Sequence, residues 1–321
     1  MNLQDGTMTI RVTGAELVTP DIMLYTLASA GGEQLMPFSG GSHVVVLIPD
    51  DGKVYRNPYS LLSSPFDTST YQIAVRREVK GRGGSRRLHD SIKVGDTLRI
   101  TPPINRFELN KSALKHVLIA GGVGITPMLA QLEELRVATT PFELHYSYRG
   151  AQHGALARGL TARNGGTIAL ADTAIGERLN FEFILEWQPL GTHVYVCGPK
   201  AMVSSVLDAA HRLGWPESHI HYEEFVEQTV GLAFSATLRR SGVTIDVPPE
   251  LSLLEAAEQA GVEVPYLCRG GACGHCETDV LELDGEILHS DVWLDDAVKA
   301  ANTKMMPCIS RAKCTKLVLD M

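Results

Sequence analysis

Between residues 8 and 104, apolar and polar positions alternate in short runs: MTIRVTGAELV, MLYTLAS, HVVVLIP, YQIAVRREV and DTLRITPPI. A period of two buries one face of a strand and wets the other, and the Gly, Pro and Asp turns between runs keep each one short. Residues 1–108 are therefore expected to form an antiparallel β-barrel. After Asn105-Arg106-Phe107 the period changes: KHVLIAGGVGITPMLAQLEELR, FELHYSYRG, GGTIALAD and THVYVCGPKAMVSSVLDAAHRLG alternate short apolar runs with longer helical stretches. Repeated βα units predict an α/β parallel-sheet domain over 112–225. A third texture follows a linker at 226–236. ATLRRSGVTIDVPP reads as a hairpin and SLLEAAEQAG as a helix capped by Ser252, with Glu255 three residues on. Residues 237–321 form this last domain.

A chain of 321 residues, 44% of them hydrophobic, is long enough for two or three cores. Its net charge of -8 argues against a nucleic-acid partner, which would need a clustered basic surface. No apolar run approaches the roughly 20 residues of a membrane span, and MNLQDGTMTI lacks the features of a signal peptide, so no membrane partner and a cytoplasmic location are expected. Charge is uneven: from residue 237 onward there are 14 acidic and 8 basic residues. The segment RREVKGRGGSRR sets Arg76, Arg77, Lys80, Arg82, Arg86 and Arg87 against Glu78 alone, which makes it the best anion-binding candidate.

Six cysteines are too few for a disulfide scaffold, yet three fall within CRGGACGHC. Cys268-x4-Cys273-x2-Cys276, with Cys308 further on, is the plant-type [2Fe-2S] spacing, whereas zinc sites favour two close cysteine pairs. Gly270, Gly271, Ala272 and Gly274 leave room for a tight loop whose N–H groups face sulfur, and Arg269 adds a nearby positive charge. A structural zinc loop is the alternative. Cys314 is expected to be a packing residue, and His219-Ile-His221 a strand with two exposed imidazoles rather than a metal site.

Two βα junctions stand out. Gly121, Gly122 and Gly124 follow a strand and lead into a helix through Thr126 and Pro127, where backbone N–H groups can meet a pyrophosphate. Cys197, Gly198 and Pro199 close another strand at the end where open α/β sheets bind ligands. In GRGGSRRLHD, Gly83 and Gly84 allow a tight turn and Ser85 can donate to phosphate at a helix start.

CRGGACGHC followed by MPCISRA resembles a plant-type ferredoxin domain, a β-grasp fold. That resemblance implies Cys268 and Cys273 on one iron and Cys276 and Cys308 on the other. GGVGITP and CGP together resemble the NAD-binding module of the ferredoxin reductase family, in which the cysteine motif lies beside the nicotinamide. YRNPYSLLSSP resembles that family's R-x-Y-[ST] flavin signature, implying Arg56 on phosphate and Tyr59 and Ser60 on the isoalloxazine. Two residues, Asn57 and Pro58, separate Arg56 from Tyr59 where the signature has one, so Pro58 is expected in a bulge. Phe225 in HYEEF falls where the family places an aromatic ring over the flavin.

The order flavin, NAD, ferredoxin is similar to the phthalate dioxygenase reductase family. It implies FMN, NADH and one [2Fe-2S] cluster, with electrons passed to a separate terminal Rieske oxygenase. The chain itself shows no Rieske Cys/His pairs and no facial triad. Other readings are a reductase for a diiron monooxygenase or a cytochrome, and a non-catalytic flavin and iron–sulfur redox sensor. The choice between NADH and NADPH is open: Arg149 could attract a 2′-phosphate, while Asp172 could favour free ribose hydroxyls or simply end a strand.

Overall fold

The computed structural model describes residues 6–50, 53–79, 81–154, 156, 160, 166–225 and 231–321. The first sheet contains β1 (Met8–Thr19), β2 (Ile22–Ser29), β3 (Ser42–Asp50), β4 (Lys53–Ser60) and β5 (Thr70–Arg76), then β6 (Thr97–Ile100) and β7 (Ile104–Asn105). Helix α1 (Gly84–Ser91) lies between β5 and β6. The order is β4-β3-β6-β1-β2-β5, β7 pairs with β3, and an antiparallel bridge from Leu61 to Ile73 joins the two outer strands. The sheet thus closes into the expected barrel. Met8, Ile10 and Val12 of β1 and Val44, Val46 and Ile48 of β3 fill it, each two residues from the next.

The second sheet is built from β8 (Lys115–Gly121), α2 (Thr126–Val137), β9 (Phe142–Tyr148) and β10 (Gly166–Asp172), then α3 (Phe181–Glu186), β11 (Thr192–Cys197), α4 (Lys200–Arg212) and β12 (Ile220–Glu223). Its strands are all parallel in the order β10-β9-β8-β11-β12. The chain starts at β8, winds out one way to β10, then returns to the other side of β8, so the winding reverses between β8 and β11. β11 is buried along its whole length, as a strand covered on both faces must be.

The third sheet carries β13 (Phe234–Leu238), β14 (Val243–Val247), β15 (Thr278–Leu288), β16 (Lys304–Met305) and β17 (Arg311–Leu319), in the order β14-β13-β17-β15-β16. α5 (Leu253–Gln259) and α6 (Asp296–Ala301) complete it. Parallel pairing of β13 with β17, beside an antiparallel hairpin, gives the β-grasp arrangement. α5 begins with the anticipated capping box: Ser252 Oγ accepts from the Glu255 N–H, and Glu255 accepts from the Ser252 N–H at 2.8 Å.

Compactness divides the chain differently from the sequence. Residues 1–77 and 85–225 form one unit, and 78–84 with 226–321 form the other. Barrel and parallel sheet merge because two glycines let backbone meet backbone. A Cβ on Gly40 would lie 2.6 Å from Gln131 Cα on α2, and one on Gly41, at φ 93°, would lie 2.1 Å from the Phe107 carbonyl oxygen. Residues 78–84 join the second unit through a buried ion pair between Arg82 and Glu255. The expected linker is shorter than 226–236: residues 226–230 lie outside the described residues, and β13 begins at Phe234.

Candidate functional site

The cysteine loop is shaped by three left-handed residues, Arg269, Gly271 and Gly274, at φ 54°, 76° and 74°. This path turns the Gly270 and Ala272 N–H groups onto Cys268 Sγ, at 3.4 and 3.5 Å. Gly274 has no side chain because the Trp293 indole occupies that space; a Cβ there would lie 2.3 Å from the ring. Buried Asp291 braces the neighbouring turn, accepting from the Leu294 N–H at 2.9 Å and from the Ser310 hydroxyl at 3.1 Å, while the Val292 N–H donates to the Gly271 carbonyl. Nothing in the sequence singled out Asp291, whose role depends on a long-range contact.

All four thiols are buried and stand as two pairs. A hydrogen bond from Cys268 draws Cys273 down to about 6 and raises Cys268; Cys276 is lowered and Cys308 raised by the same sharing within their pair. Among the described residues, no three Cys, His or carboxylate side chains converge on one metal position. Zinc needs four ligands around a single ion, whereas a two-iron cluster needs two pairs held apart by its own width. The donor set therefore fits [2Fe-2S]. Arg269 holds its positive charge beside the loop, paired rather than free. It is buried, pairs with Glu258 of α5 and stacks 3.7 Å from the Tyr266 ring, so it braces the loop as a neutralised partner. Cys314 packs against the β-grasp core, as expected of a packing residue.

The two βα junctions meet at the reversal between β8 and β11, where open α/β sheets form their binding crevice. A Cβ on Gly124 would lie 2.3 Å from the Cys197 carbonyl oxygen, and one on Gly121 would lie 2.8 Å from Pro199 Cδ. A Cβ on Gly198 would lie 3.1 Å from the Gly121 Cα. α2 opens with Thr126 and with Pro127 in its first turn and has no side-chain cap; the Thr126 N–H is taken by the Val123 carbonyl and Pro127 has none. Burial, reinforced by Glu223 and Glu224, pushes the Cys197 thiol well up, which keeps it protonated and unreactive. Asp172 ends its strand: Oδ1 accepts from the N–H groups of Gly150 and Ala174 at 2.6 and 2.9 Å. Arg149 is exposed beside it.

The barrel corrects the reading of YRNPYS. β3 and β4 pair without interruption from Asp50–Lys53 to His43–Ser60, so Pro58 occupies no bulge. Arg56 opposes Leu47 and Tyr59 opposes Val44, three positions apart, which sends the two side chains to opposite faces. Asn57 instead shares the Tyr59 face, and its Nδ2 donates to the Tyr59 hydroxyl at 3.2 Å. Tyr59 packs against the barrel core, and burial raises its phenol. Ser60 and His43 face each other across the strands, both buried, and neither Ser60 Oγ nor either His43 nitrogen has a hydrogen-bond partner among the described residues. Orphaned buried polar atoms of this kind cost about 1–3 kcal/mol each unless a ligand satisfies them, so the face fits a polar cofactor edge.

The basic segment is less available than its composition implied. Arg77 pairs with Asp90 at 2.9 Å, Arg82 with Glu255 and Arg87 with Asp50 at 3.4 Å, while Lys80 lies outside the described residues. Gly83, at φ 120°, turns the chain into α1, whose first residues are Gly84 and Ser85. Phe225 follows β12 and is 41% exposed. His219 and His221 are not free imidazoles: both stack on His193, and His193 Nδ1 lies 2.9 Å from His221 Nε2. No helix among the described residues is long and apolar enough to cross a membrane.

Three family models match segments of the chain. Residues 9–109 match an oxidoreductase FAD-binding domain, 97–220 the N-terminal domain of DmmA-like dimethylamine monooxygenase subunits, and 236–313 a 2Fe-2S iron-sulfur cluster binding domain. A carnitine monooxygenase reductase subunit of Acinetobacter baumannii is 42% identical over 97% of this chain and 96% of its own length. The beta subunit of a heme-dependent oxidative N-demethylase of Ectopseudomonas mendocina is also 42% identical, over 97% and 98%. The solved structure of phthalate dioxygenase reductase, described as modular for electron transfer from pyridine nucleotides to [2Fe-2S], superposes with a TM-score of 0.88 at 33% identity, covering 99% of this chain and 98% of that one.

Proposed function

The chain belongs to the phthalate dioxygenase reductase family, and from that membership we propose that it carries electrons from NADH through FMN and a [2Fe-2S] cluster to a terminal Rieske oxygenase. Its class is that of an oxidoreductase with a flavin-binding domain and an iron–sulfur domain, related throughout its length to reductase subunits of oxygenase systems. The observation that carries the reading is the conjunction of two cysteine pairs, suited to two irons, with a glycine cradle at the reversal of a parallel sheet. Bound flavin supplies the step between a hydride donor and a one-electron acceptor.

The chain's own residues hold and orient these groups. Gly121, Gly122 and Gly124 let a pyrophosphate approach the first turn of α2, and Gly198 and Pro199 wall the same crevice. Cys197 offers a neutral thiol that packs without attacking. Phe225 is the aromatic face for the isoalloxazine and Ser60 its hydroxyl contact, on the face of β4 that Arg56 shares, while Tyr59 supports that strand from the opposite face; Gly83, Gly84 and Ser85 are the phosphate turn. Asn57 stands where the signature has arginine. FMN and NADH rest on the family resemblance, and six free cysteines suit a reducing cytoplasm.

Relatives named for carnitine and for oxidative N-demethylation point to a partner oxygenase acting on an N-methylated substrate. The second of these names favours another reading, a heme-containing partner. The deciding experiment is an anaerobic NADH titration of the purified protein with optical and EPR spectra, flavin chromatography, and then addition of candidate Rieske and heme components. Bleaching of released-FMN-type flavin, a rhombic [2Fe-2S] signal and selective reduction of the Rieske component are expected. A colourless zinc protein, or flavin that NADH leaves oxidised, would overturn the function; selective reduction of heme would replace the partner.

A further inference from the structure

We propose that Trp293 is the solvent shield of the iron–sulfur site: its indole covers the Gly274 turn and keeps water off the Cys273 and Cys276 sulfurs, which holds the cluster's reduction potential low. The proposal rests on the cluster reading of the four cysteines. The indole lies on Gly274, where a Cβ would meet Trp293 Cε2, Cζ2 and Nε1 at 2.3, 2.5 and 2.7 Å. Its N–H donates to Glu277 Oε2 at 2.8 Å, and Lys304 pairs with the same carboxylate. Ring and N–H together span the turn that contains Cys276.

Such a brace answers a weakness of the loop itself. Gly274 is at φ 74°, a left-handed conformation that glycine enters freely and other residues do not, so no side chain of its own can hold the turn. Within the turn the Glu277 N–H donates to the Gly274 carbonyl at 2.9 Å, and the His275 N–H donates to Cys273. Displacing Gly274 takes the His275 N–H away from sulfur. Trp293 reaches the turn from a segment that is itself fixed: the Val292 N–H donates to the Gly271 carbonyl at 3.1 Å, and the Leu294 N–H to Asp291 at 2.9 Å.

The indole is also placed as a cover. Cys273 and Cys276 are 6% and 2% exposed, while Ala272 and His275 beside them are open to solvent and Trp293 is 49% exposed. One side of the ring therefore faces the loop and the other faces water. Solvent exposure and hydrogen bonds to sulfur are among the features that tune a cluster of this kind. A reduced cluster carries one more negative charge than an oxidised one, so water admitted to the thiolates favours reduction.

The test uses the full chain with its cluster, as wild type, W293A and W293F. Reduction potentials are measured by EPR-monitored redox titration, and water at the reduced cluster by the exchangeable-deuteron coupling in D2O. In W293A the equilibrium shifts toward reduction roughly tenfold, about 59 mV upward for a one-electron couple, and the deuteron coupling grows. W293F keeps a ring over Gly274 and returns both values to near wild type, although it lacks the hydrogen bond to Glu277. Wild-type potential and deuteron coupling in W293A overturn the shield even where Tm falls, because the ring then serves packing alone. W293F shifted as far as W293A also overturns it, since the hydrogen bond and not the cover then sets the potential. If W293A assembles no cluster, W293L is read in its place: a partial shift is expected, and wild-type values overturn the shield. Wild-type protein without a [2Fe-2S] spectrum marks failure of the cluster reading instead.

Discussion

Gly124→Ala tests the nucleotide crevice through space alone. Gly124 does not adopt the left-handed conformation, so alanine costs nothing in backbone preference; what it adds is a Cβ 2.3 Å from the Cys197 oxygen, 2.5 Å from the Cys197 carbonyl carbon and 2.8 Å from the Gly198 nitrogen. Ordinary contact begins near 3.4 Å, so backbone must move by about 1 Å. β11 is hydrogen-bonded on both sides, to β8 and β12, and cannot yield freely. Overpacking of this kind costs about 2 kcal/mol, or roughly 4–8 °C in Tm for a unit of this size. The displacement also separates the two junctions that form the crevice, so NADH affinity falls with stability. Gly122→Ala is the control: its φ of 55° imposes a strain of about 1 kcal/mol, but nothing lies within 4 Å of the added Cβ. Melting curves and NADH titrations of the two variants decide the matter. A Gly124→Ala protein with wild-type Tm and NADH affinity, or one less affected than Gly122→Ala, would refute the close-contact argument.

Three further outcomes are expected. Cys308→Ser abolishes the cluster's EPR signal while NADH still bleaches the flavin, and Cys314→Ser leaves both signals intact. Arg82→Met strands the buried Glu255 carboxylate, which Arg82 and Ser252 hold ionised against the cost of burial; denaturant titration should show a loss of about 3 kcal/mol, with a smaller loss for Glu255→Gln. Acidification should destabilise the first unit because His116 and His221 are each lowered to about 4, chiefly by burial. Their folded values lie below the unfolded 6.5, so unfolded chains bind more protons; the stability they contribute is fully present above pH 6.5 and is lost as pH falls through about 4. Melting temperatures at pH 7 and pH 5 should therefore differ less in His221→Gln than in the wild type.

Local pattern was enough to reveal three sheets, the capping box at Ser252, the cysteine set and the two glycine junctions. Each is written within a few residues: period-two burial needs only alternation, a cap needs a side chain and a nearby N–H, and a tight loop needs glycine between its ligands. Contacts between distant segments decided the rest. Pro58 was expected to bulge, yet β4 keeps its register because β3 pairs with it at every position, and that register assigns Asn57 rather than Arg56 to the Tyr59 face. Arg269 and Arg82 looked like available cations until the fold supplied Glu258 and Glu255. His43 drew no attention in HVVVLIP, since a lone histidine in an apolar strand carries no signal; only the opposing Ser60, 17 residues away, exposes its missing partners. The sequence by itself determined which segments form strands, helices and cofactor loops, because those choices depend on neighbours along the chain. Which charges are neutralised, which faces side chains share and which polar groups await a ligand were decided by the tertiary structure, because burial and pairing depend on residues that only folding brings together.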